Sequence, residues 1–326
     1  MQRIALLGLG AMGGGMAANW LKKRFPLTIW NRTASKTERH AAEGALVARS
    51  PREAAQGADV IVSMVADDHA SREVWFGSSG ALDGMRSSAI CIESSTVSPD
   101  WVGELAQAVQ RKGGRFLDAP VGSSRPAAES GQLVFFVGGD ADDFARAREV
   151  LEPIASRLHH LGGVGAGTRW KLVNNSLIAS QIASLAEAFN CARLAGFSAD
   201  QISALIKGSS TASPIVQGKL ERILAKRFDD PDFALYLLHK DARYAAKLAQ
   251  AVGAPHRVID AAAENFSQAE AAGFGALDCA GVVSGIASSD GRGTRDGRAK
   301  RCPLSGGKVT RASELKALLD AAARAT

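Results

Sequence analysis

The feature that most limits what this 326-residue chain can fold into lies near its start. Gly8-Leu9-Gly10-Ala11-Met12-Gly13 follows the apolar run Ile4-Ala5-Leu6-Leu7 directly and opens a helical pattern over residues 12–23. A glycine triplet at this spacing also arises by chance in turns. Between a strand and a helix it has a mechanical reading. Gly8 allows the tight turn, Gly10 lets backbone approach a pyrophosphate, and Gly13 lets helix and strand pack closely. The helix N-terminus then offers free N–H groups and a positive dipole to the phosphates. A dinucleotide is the expected ligand, cradled by residues 8–13.

The rest of the first half supports that context. Short apolar runs at residues 3–8, 27–30, 60–64, 89–93, 115–118, 133–137 and 158–161 read as strands, with helical patterns between several of them, such as 100–111. This alternation predicts a parallel, doubly wound α/β sheet. The rhythm changes after Gly162-Gly163. Residues 167–194 contain no proline, and Leu172, Ile178, Ile182, Leu185 and Phe189 recur at helical spacing. They predict one long helix running between domains. Helical patterns at 198–208, 214–224, 233–252 and 255–272 make the second half all-α. The expected division is 1–163, 164–287 and a basic, poorly ordered tail at 288–326, with a short amphipathic helix at 312–325.

Charge distribution narrows the partners. Residues 287–326 hold nine Lys/Arg and four Asp/Glu, whereas the preceding 286 hold 30 and 29. The body is thus nearly neutral, and a nucleic-acid partner is not expected. No apolar run approaches the roughly 18 residues of a membrane span, and no leader pattern precedes Ile4, so a cytoplasmic, non-membrane protein is expected. Cys91, Cys191, Cys279 and Cys302 are far apart without a C-x-x-C pair. Buried, inert thiols in a reducing compartment fit best, with neither disulfide framework nor zinc. No His/Asp/Glu cluster has metal-ligand spacing, and no metal is expected.

The end of the second strand bears on which dinucleotide binds. An acid there would bond an NAD ribose and repel a 2′-phosphate. This chain has Asn31-Arg32-Thr33, with Lys36 further on. A guanidinium pairs bidentately with phosphate and a threonine hydroxyl adds a donor. NADP(H) is therefore expected over NAD(H).

Three further segments, with the glycine loop, carry a resemblance: Asp118-Ala119-Pro120-Val121, residues 165–175 with Lys171 and Asn175, and Lys240-Asp241. Their order and spacing resemble the β-hydroxyacid dehydrogenase family, which includes 3-hydroxyisobutyrate, tartronate semialdehyde and glyoxylate/succinic semialdehyde reductases. The resemblance runs from Arg3 to about Ile286. It implies a Rossmann-type sheet followed by an all-α C-terminal domain built around a long interdomain helix, with the active site in the cleft. It implies that Lys171 is the general acid/base, that Asn175 holds substrate, and that Thr96 lies near the nicotinamide. Lys240 would contact the cofactor, and Met64-Val65 would form the wall after the fourth strand. A homodimer or homotetramer is implied as well.

Elementary chemistry agrees on the pair. Lys171 and Asn175 are i and i+4, so on a helix they share a face. An ammonium there would stabilise the oxyanion that grows as hydride reaches a carbonyl, and burial would lower its pKa to suit that task. His239 and His159-His160 read as structural, the latter pair capping a strand. The departure from the family is the substrate loop. Where many relatives have Ser-Gly-Gly, this chain has Gly122-Ser123-Ser124-Arg125-Pro126. A small carboxylate-bearing substrate is still expected on Gly122, Ser123 and Ser124, with Arg125 as a further charge. Residues 127–131 look closer to the glyoxylate/succinic semialdehyde reductase branch. The alternatives are an imine reductase, where Asp or Tyr usually replaces the lysine, and decarboxylating 6-phosphogluconate dehydrogenase, where a His replaces Thr168. The last is a non-catalytic NADP-binding interaction module.

Overall fold

The computed structural model describes residues 1–286; the expected basic tail and its terminal helix lie outside the described residues. The first half is a doubly wound sheet. Strands β1 (Ile4–Leu7), β2 (Leu27–Trp30), β3 (Leu46–Val47), β4 (Val60–Ser63), β5 (Ile90–Glu93) and β6 (Arg115–Asp118) run parallel in the order β3-β2-β1-β4-β5-β6. β1, β4 and β5 are buried at every position, which is why they read as unbroken apolar runs. Strand order reverses between β1 and β4. In such sheets the crevice at the carboxyl ends of these two strands is the ligand site.

The parallel expectation fails at one edge. β8 (Leu133–Gly139) lies antiparallel to β6 and to β7 (Val121–Gly122), and β9 (Ala155–His160) then pairs parallel with β8. β6 and β7 share one side of β8, separated by Ala119-Pro120. β3 and β7 were not expected. Each has two residues, too few to show a period, and β3 is exposed. His159 and His160 lie inside β9 rather than capping it, stacking on Phe136 and Phe144. The thiol expectation also needs correction: Cys91 and Cys279 are buried, but Cys191 is exposed.

Apolar cores cover both faces of the sheet, one around Leu6, Met16, Trp20 and Val62, the other around Leu7, Trp75, Cys91 and Trp101. A further core fills the helical half, around Leu172, Ile182, Leu220, Leu238 and Phe266. The long helix (Ala166–Leu194, 29 residues) passes from the sheet into that core. Among the described residues no helix is long and apolar enough to cross a membrane.

The start of this helix is fixed unusually tightly. Gly165 takes a left-handed φ of +83°. A Cβ on Gly167 would sit 2.1 Å from the Phe136 carbonyl oxygen, so only glycine lets the first turn press on β8. Asp118, at the end of β6 and fully buried, accepts the Gly165 N–H at 2.6 Å and the Thr168 N–H at 2.7 Å. A carboxylate on the sheet thus does the work of an N-cap for a helix 47 residues later. Burial pushes its carboxyl above the usual range, and the two N–H donors pull the other way. Asp118→Ala should cost roughly 2–4 kcal/mol by orphaning two buried N–H groups, and Asp118→Asn less, since it keeps an acceptor. Denaturant unfolding measures both; an alanine variant as stable as the parent would contradict this role.

Candidate active site

The glycine loop lies in the crevice between β1 and β4. The Gly8 N–H donates to the Trp30 carbonyl at 2.9 Å, and its φ of +109° is left-handed. Built Cβ atoms show what each glycine is for. On Gly8 a Cβ would meet the Met64 carbonyl oxygen at 2.3 Å, and on Gly13 the Gly8 carbonyl oxygen at 2.1 Å. On Gly10 nothing lies within 4 Å. Gly8 and Gly13 are therefore required by the protein's own packing, while Gly10 borders open space, as a cradle for a ligand backbone would. The helix behind it (Ala11–Lys22) has no side-chain cap and no acid in its first turn, so its leading N–H groups are open to an anion. These residues fit a dinucleotide pyrophosphate.

Asn31 braces this loop. Its Oδ1 accepts the Leu9 N–H at 2.8 Å and its Nδ2 donates to the Thr33 carbonyl at 2.9 Å. Arg32 and Thr33 stand exposed just beyond. Of the expected trio, Asn31 is engaged by the protein, and Arg32 and Thr33 present their side chains outward. Met64 and Val65 follow β4, half-buried, and the Val65 N–H donates to Ser95 Oγ at 2.8 Å. The loops after β4 and β5 are thereby tied together. Thr96 follows, half-buried.

The long helix brings Lys171 to the same region. Lys171 is 7% exposed and Asn175 fully buried, one turn apart on one face. Across from them stands the helix Leu235–Ala251, whose Asp241 is 2% exposed. Asp241 Oδ2 accepts Asn175 Nδ2 at 2.6 Å, and its Oδ1 lies 2.9 Å from Lys240 Nζ. Lys240 Nζ also donates to the Thr96 carbonyl and sits 5.1 Å from the Tyr244 ring centre. One chain of contacts therefore runs from Thr96 through Lys240 and Asp241 to Asn175. Burial lowers the Lys171 ammonium to a pKa of about 8; the Asp241 carboxylate opposes that fall and the Lys240 charge adds to it. Lys171 thus changes charge near neutral pH in a dry setting.

The segment expected to hold the substrate carboxylate begins at the end of β7. Gly122 is buried in β7, where a Cβ would meet the Phe136 ring at 3.0 Å. Ser123 and Ser124 are exposed, and Ser123 holds a φ of +98°, a left-handed backbone that a serine adopts only under constraint. Arg125 is not a free charge. Its guanidinium pairs bidentately with Asp230 of the helical half at 2.6 and 2.8 Å, which raises its pKa. The short helix after it (Arg125–Glu129) is anchored to the glycine-loop helix by Asn19 Nδ2, which donates to Ala128 O at 2.9 Å. This anchor ties the segment after Ser124 to the glycine-loop helix.

Asp118 and Asp241 both stand in the resemblance segments, but the sequence assigns neither a part in the site. Nothing in one sequence reveals that residues 66 apart share a hydrogen bond. His239 pairs with Glu270 at 2.6 Å, outside the Lys171 cluster. Among the described residues no group of three or more His, Cys, Asp or Glu side chains could hold a metal ion.

Comparison with known proteins places this geometry. The NAD binding domain of 6-phosphogluconate dehydrogenase matches residues 3–162, and the NAD-binding segment of NADP-dependent 3-hydroxyisobutyrate dehydrogenase matches 165–286. Glyoxylate/succinic semialdehyde reductase 1 of Arabidopsis thaliana is 32% identical over 283 residues, covering 87% of this chain and 98% of that protein. This chain belongs to the β-hydroxyacid dehydrogenase family. A solved family member, 3-hydroxyisobutyrate dehydrogenase of Mycobacterium tuberculosis with L-serine, superposes with a TM-score of 0.78 at 31% identity, covering 87% of this chain and 98% of that one. The cytokine-like nuclear factor N-PAC of Xenopus tropicalis is 34% identical over 270 residues, 83% of this chain. The chain spans about half the length of the N-PAC relatives it matches, 50% for that one.

A lysine held well below its ordinary pKa by burial weakens the fold that carries it. Below about pH 8 it is charged both folded and unfolded, so the full desolvation cost falls on the native state. That cost shrinks as pH rises from about 8 towards the unfolded lysine value of roughly 10.4. Lys171→Met should therefore raise stability at pH 7 by roughly 1–3 kcal/mol, with the gain fading at high pH. Denaturant titrations at both pH values measure it; a less stable methionine variant would contradict the assigned desolvation.

Proposed function

We propose that this chain is an NADP(H)-dependent oxidoreductase that interconverts a small hydroxyacid and its semialdehyde or oxo acid, with Lys171 as general acid/base. The observation that carries the reading is the buried Lys171 with its pKa near 8, facing Asp241 and Lys240 one turn from Asn175. The bound nicotinamide would supply or accept the hydride. As negative charge grows on the substrate carbonyl oxygen, the Lys171 ammonium stabilises it and delivers the proton; in the oxidative direction the neutral amine takes the hydroxyl proton. Asp241 holds one N–H of Asn175 and leaves the other for a substrate oxygen. Lys240, held by the Thr96 carbonyl and Asp241, would contact the cofactor.

The substrate carboxylate is assigned to the Gly122–Ser124 loop through its N–H groups and the two exposed hydroxyls. Relatives named for glyoxylate and succinic semialdehyde, and a relative solved with L-serine, support a small carboxylate. NADP(H) preference is assigned to Arg32 and Thr33, which stand outside the glycine loop with Asn31 bracing them. We further propose self-association through the outer face of the long helix, where Val173 and Leu177 are exposed. A second reading is a non-catalytic NADP-binding interaction module, which relatives bearing the name of a nuclear factor rather than of an enzyme keep in view. The complete Lys171/Asn175/Asp241 arrangement favours catalysis over that reading.

Purified chain should oxidise NADPH with glyoxylate or a short semialdehyde acid. Because Lys171 titrates near 8, reduction should slow as pH rises through that value and oxidation should accelerate. Profiles of kcat/KM in both directions check this, and turnover with no such carbonyl would support the module reading. Arg32→Asp should cut the preference for NADPH over NADH by about tenfold or more. Paired KM measurements test it, and an unchanged ratio would remove Arg32 from the 2′-phosphate site.

A further inference from the structure

Beneath the cofactor loops lies a buried carboxylate that the acid/base reading does not use. Glu93 ends β5, pairs in register with Ser63 of β4, and has no solvent exposure. Its Oε2 accepts Ser71 Oγ at 2.5 Å and Trp75 Nε1 at 3.1 Å, and its Oε1 accepts the Ser95 backbone N–H at 2.9 Å. Trp75 Nε1 also reaches Ser63 Oγ at 3.0 Å, and Trp101 Nε1 donates to Ser71 Oγ at 2.8 Å. All three donors to the carboxylate are neutral, so this group is buried at a cost that no ion pair with them offsets.

What the network holds explains why it is there. Through Oε1 it fixes the Ser95 backbone, whose Oγ accepts the Val65 N–H, and the next residue's carbonyl receives Lys240. Through Oε2 it fixes the helix Asp68–Phe76 that follows the β4 loop. Both loops assigned to the cofactor are thus set from below by one side chain.

We propose that Glu93 is a positioning residue for hydride transfer: its carboxylate sets the Ser95-Thr96 backbone and, through Ser95 Oγ, the Val65 backbone, on which the nicotinamide end of the cofactor lies. This rests on the cofactor and lysine roles proposed above. The chemistry of substitution is definite. In Glu93→Gln the amide NH2 must face either the Ser95 N–H or the Trp75 Nε1–H, neither of which can accept, so one side of the network meets donor with donor even if the Ser71 hydroxyl turns to accept. Glu93→Asp keeps the charge but is a methylene short of spanning both sides.

The test uses the full chain, with NADPH affinity from fluorescence and the primary deuterium isotope effect on kcat from 4-deuterated NADPH. Glu93→Gln should weaken NADPH binding by about tenfold and enlarge the isotope effect, because misplaced nicotinamide makes hydride transfer slower. The pH midpoint set by Lys171 should stay where it is. A variant that melts earlier but keeps parental NADPH affinity and isotope effect would overturn the proposal, since that is the pattern of a purely structural residue. If Glu93→Gln does not fold, Ser95→Ala reads the same link. It keeps the backbone N–H on Glu93 and removes only the acceptor of Val65, so weakened NADPH binding supports the proposal and unchanged binding overturns it. Lys171→Ala, run alongside, should lose turnover and retain NADPH. Failure of the acid/base role would therefore appear in that variant's turnover, and failure of the Glu93 role in NADPH affinity.

Discussion

The site depends on one carboxylate reaching across the chain to start a helix. Asp118 closes β6 and holds the N–H groups of Gly165 and Thr168, while Gly167 lets that first turn lie directly on β8. Lys171 follows Thr168 by one turn. Its position relative to the β4 and β5 loops is therefore set by the same contacts that join the long helix to the sheet. A misplacement of about 1 Å in a catalytic group can cost on the order of a hundredfold in rate, so the acid/base role proposed for Lys171 calls for a junction this dense.

The second constraint is electrostatic. Two lysines and one aspartate share a space from which water is largely absent, with Lys171 at 7% and Asp241 at 2% exposure. Burial and the Lys240 charge lower the Lys171 pKa, and Asp241 limits that fall. The balance leaves a group able to hold or release a proton near neutral pH. Asp241 also orients Asn175, so the carboxylate that tunes the lysine aligns its neighbour. Strain accompanies this at Ser123, whose left-handed backbone sits beside a loop locked by Arg125–Asp230 and Asn19.

Much of this was legible in the sequence for identifiable reasons. The glycine loop was readable because Gly8 and Gly13 answer to local sterics, and β1, β4 and β5 because burial on both faces makes strands continuously apolar. The long helix was readable from its proline-free period. That Lys171 and Asn175 share a helix face was readable, because i, i+4 spacing is a local property, while the roles proposed for them came from the family resemblance of residues 165–175. β3 and β7 were not, being two residues each, nor was the antiparallel edge, which depends on how β8 meets β6. Arg125 read as a free charge because its partner, Asp230, is 105 residues away. Asp118, Asp241 and Glu93 act through contacts that only folding creates, and residue type alone does not distinguish them from solvated acids.

The role of Lys171 is tested most directly by single-turnover hydride transfer. Protein preloaded with NADPH would be mixed with glyoxylate or a short semialdehyde acid, and absorbance followed for the parent and for Lys171→Ala. The expected result is parental NADPH affinity with transfer slowed by about a hundredfold or more, partly restored by added methylamine. Transfer in Lys171→Ala as fast as in the parent would contradict it.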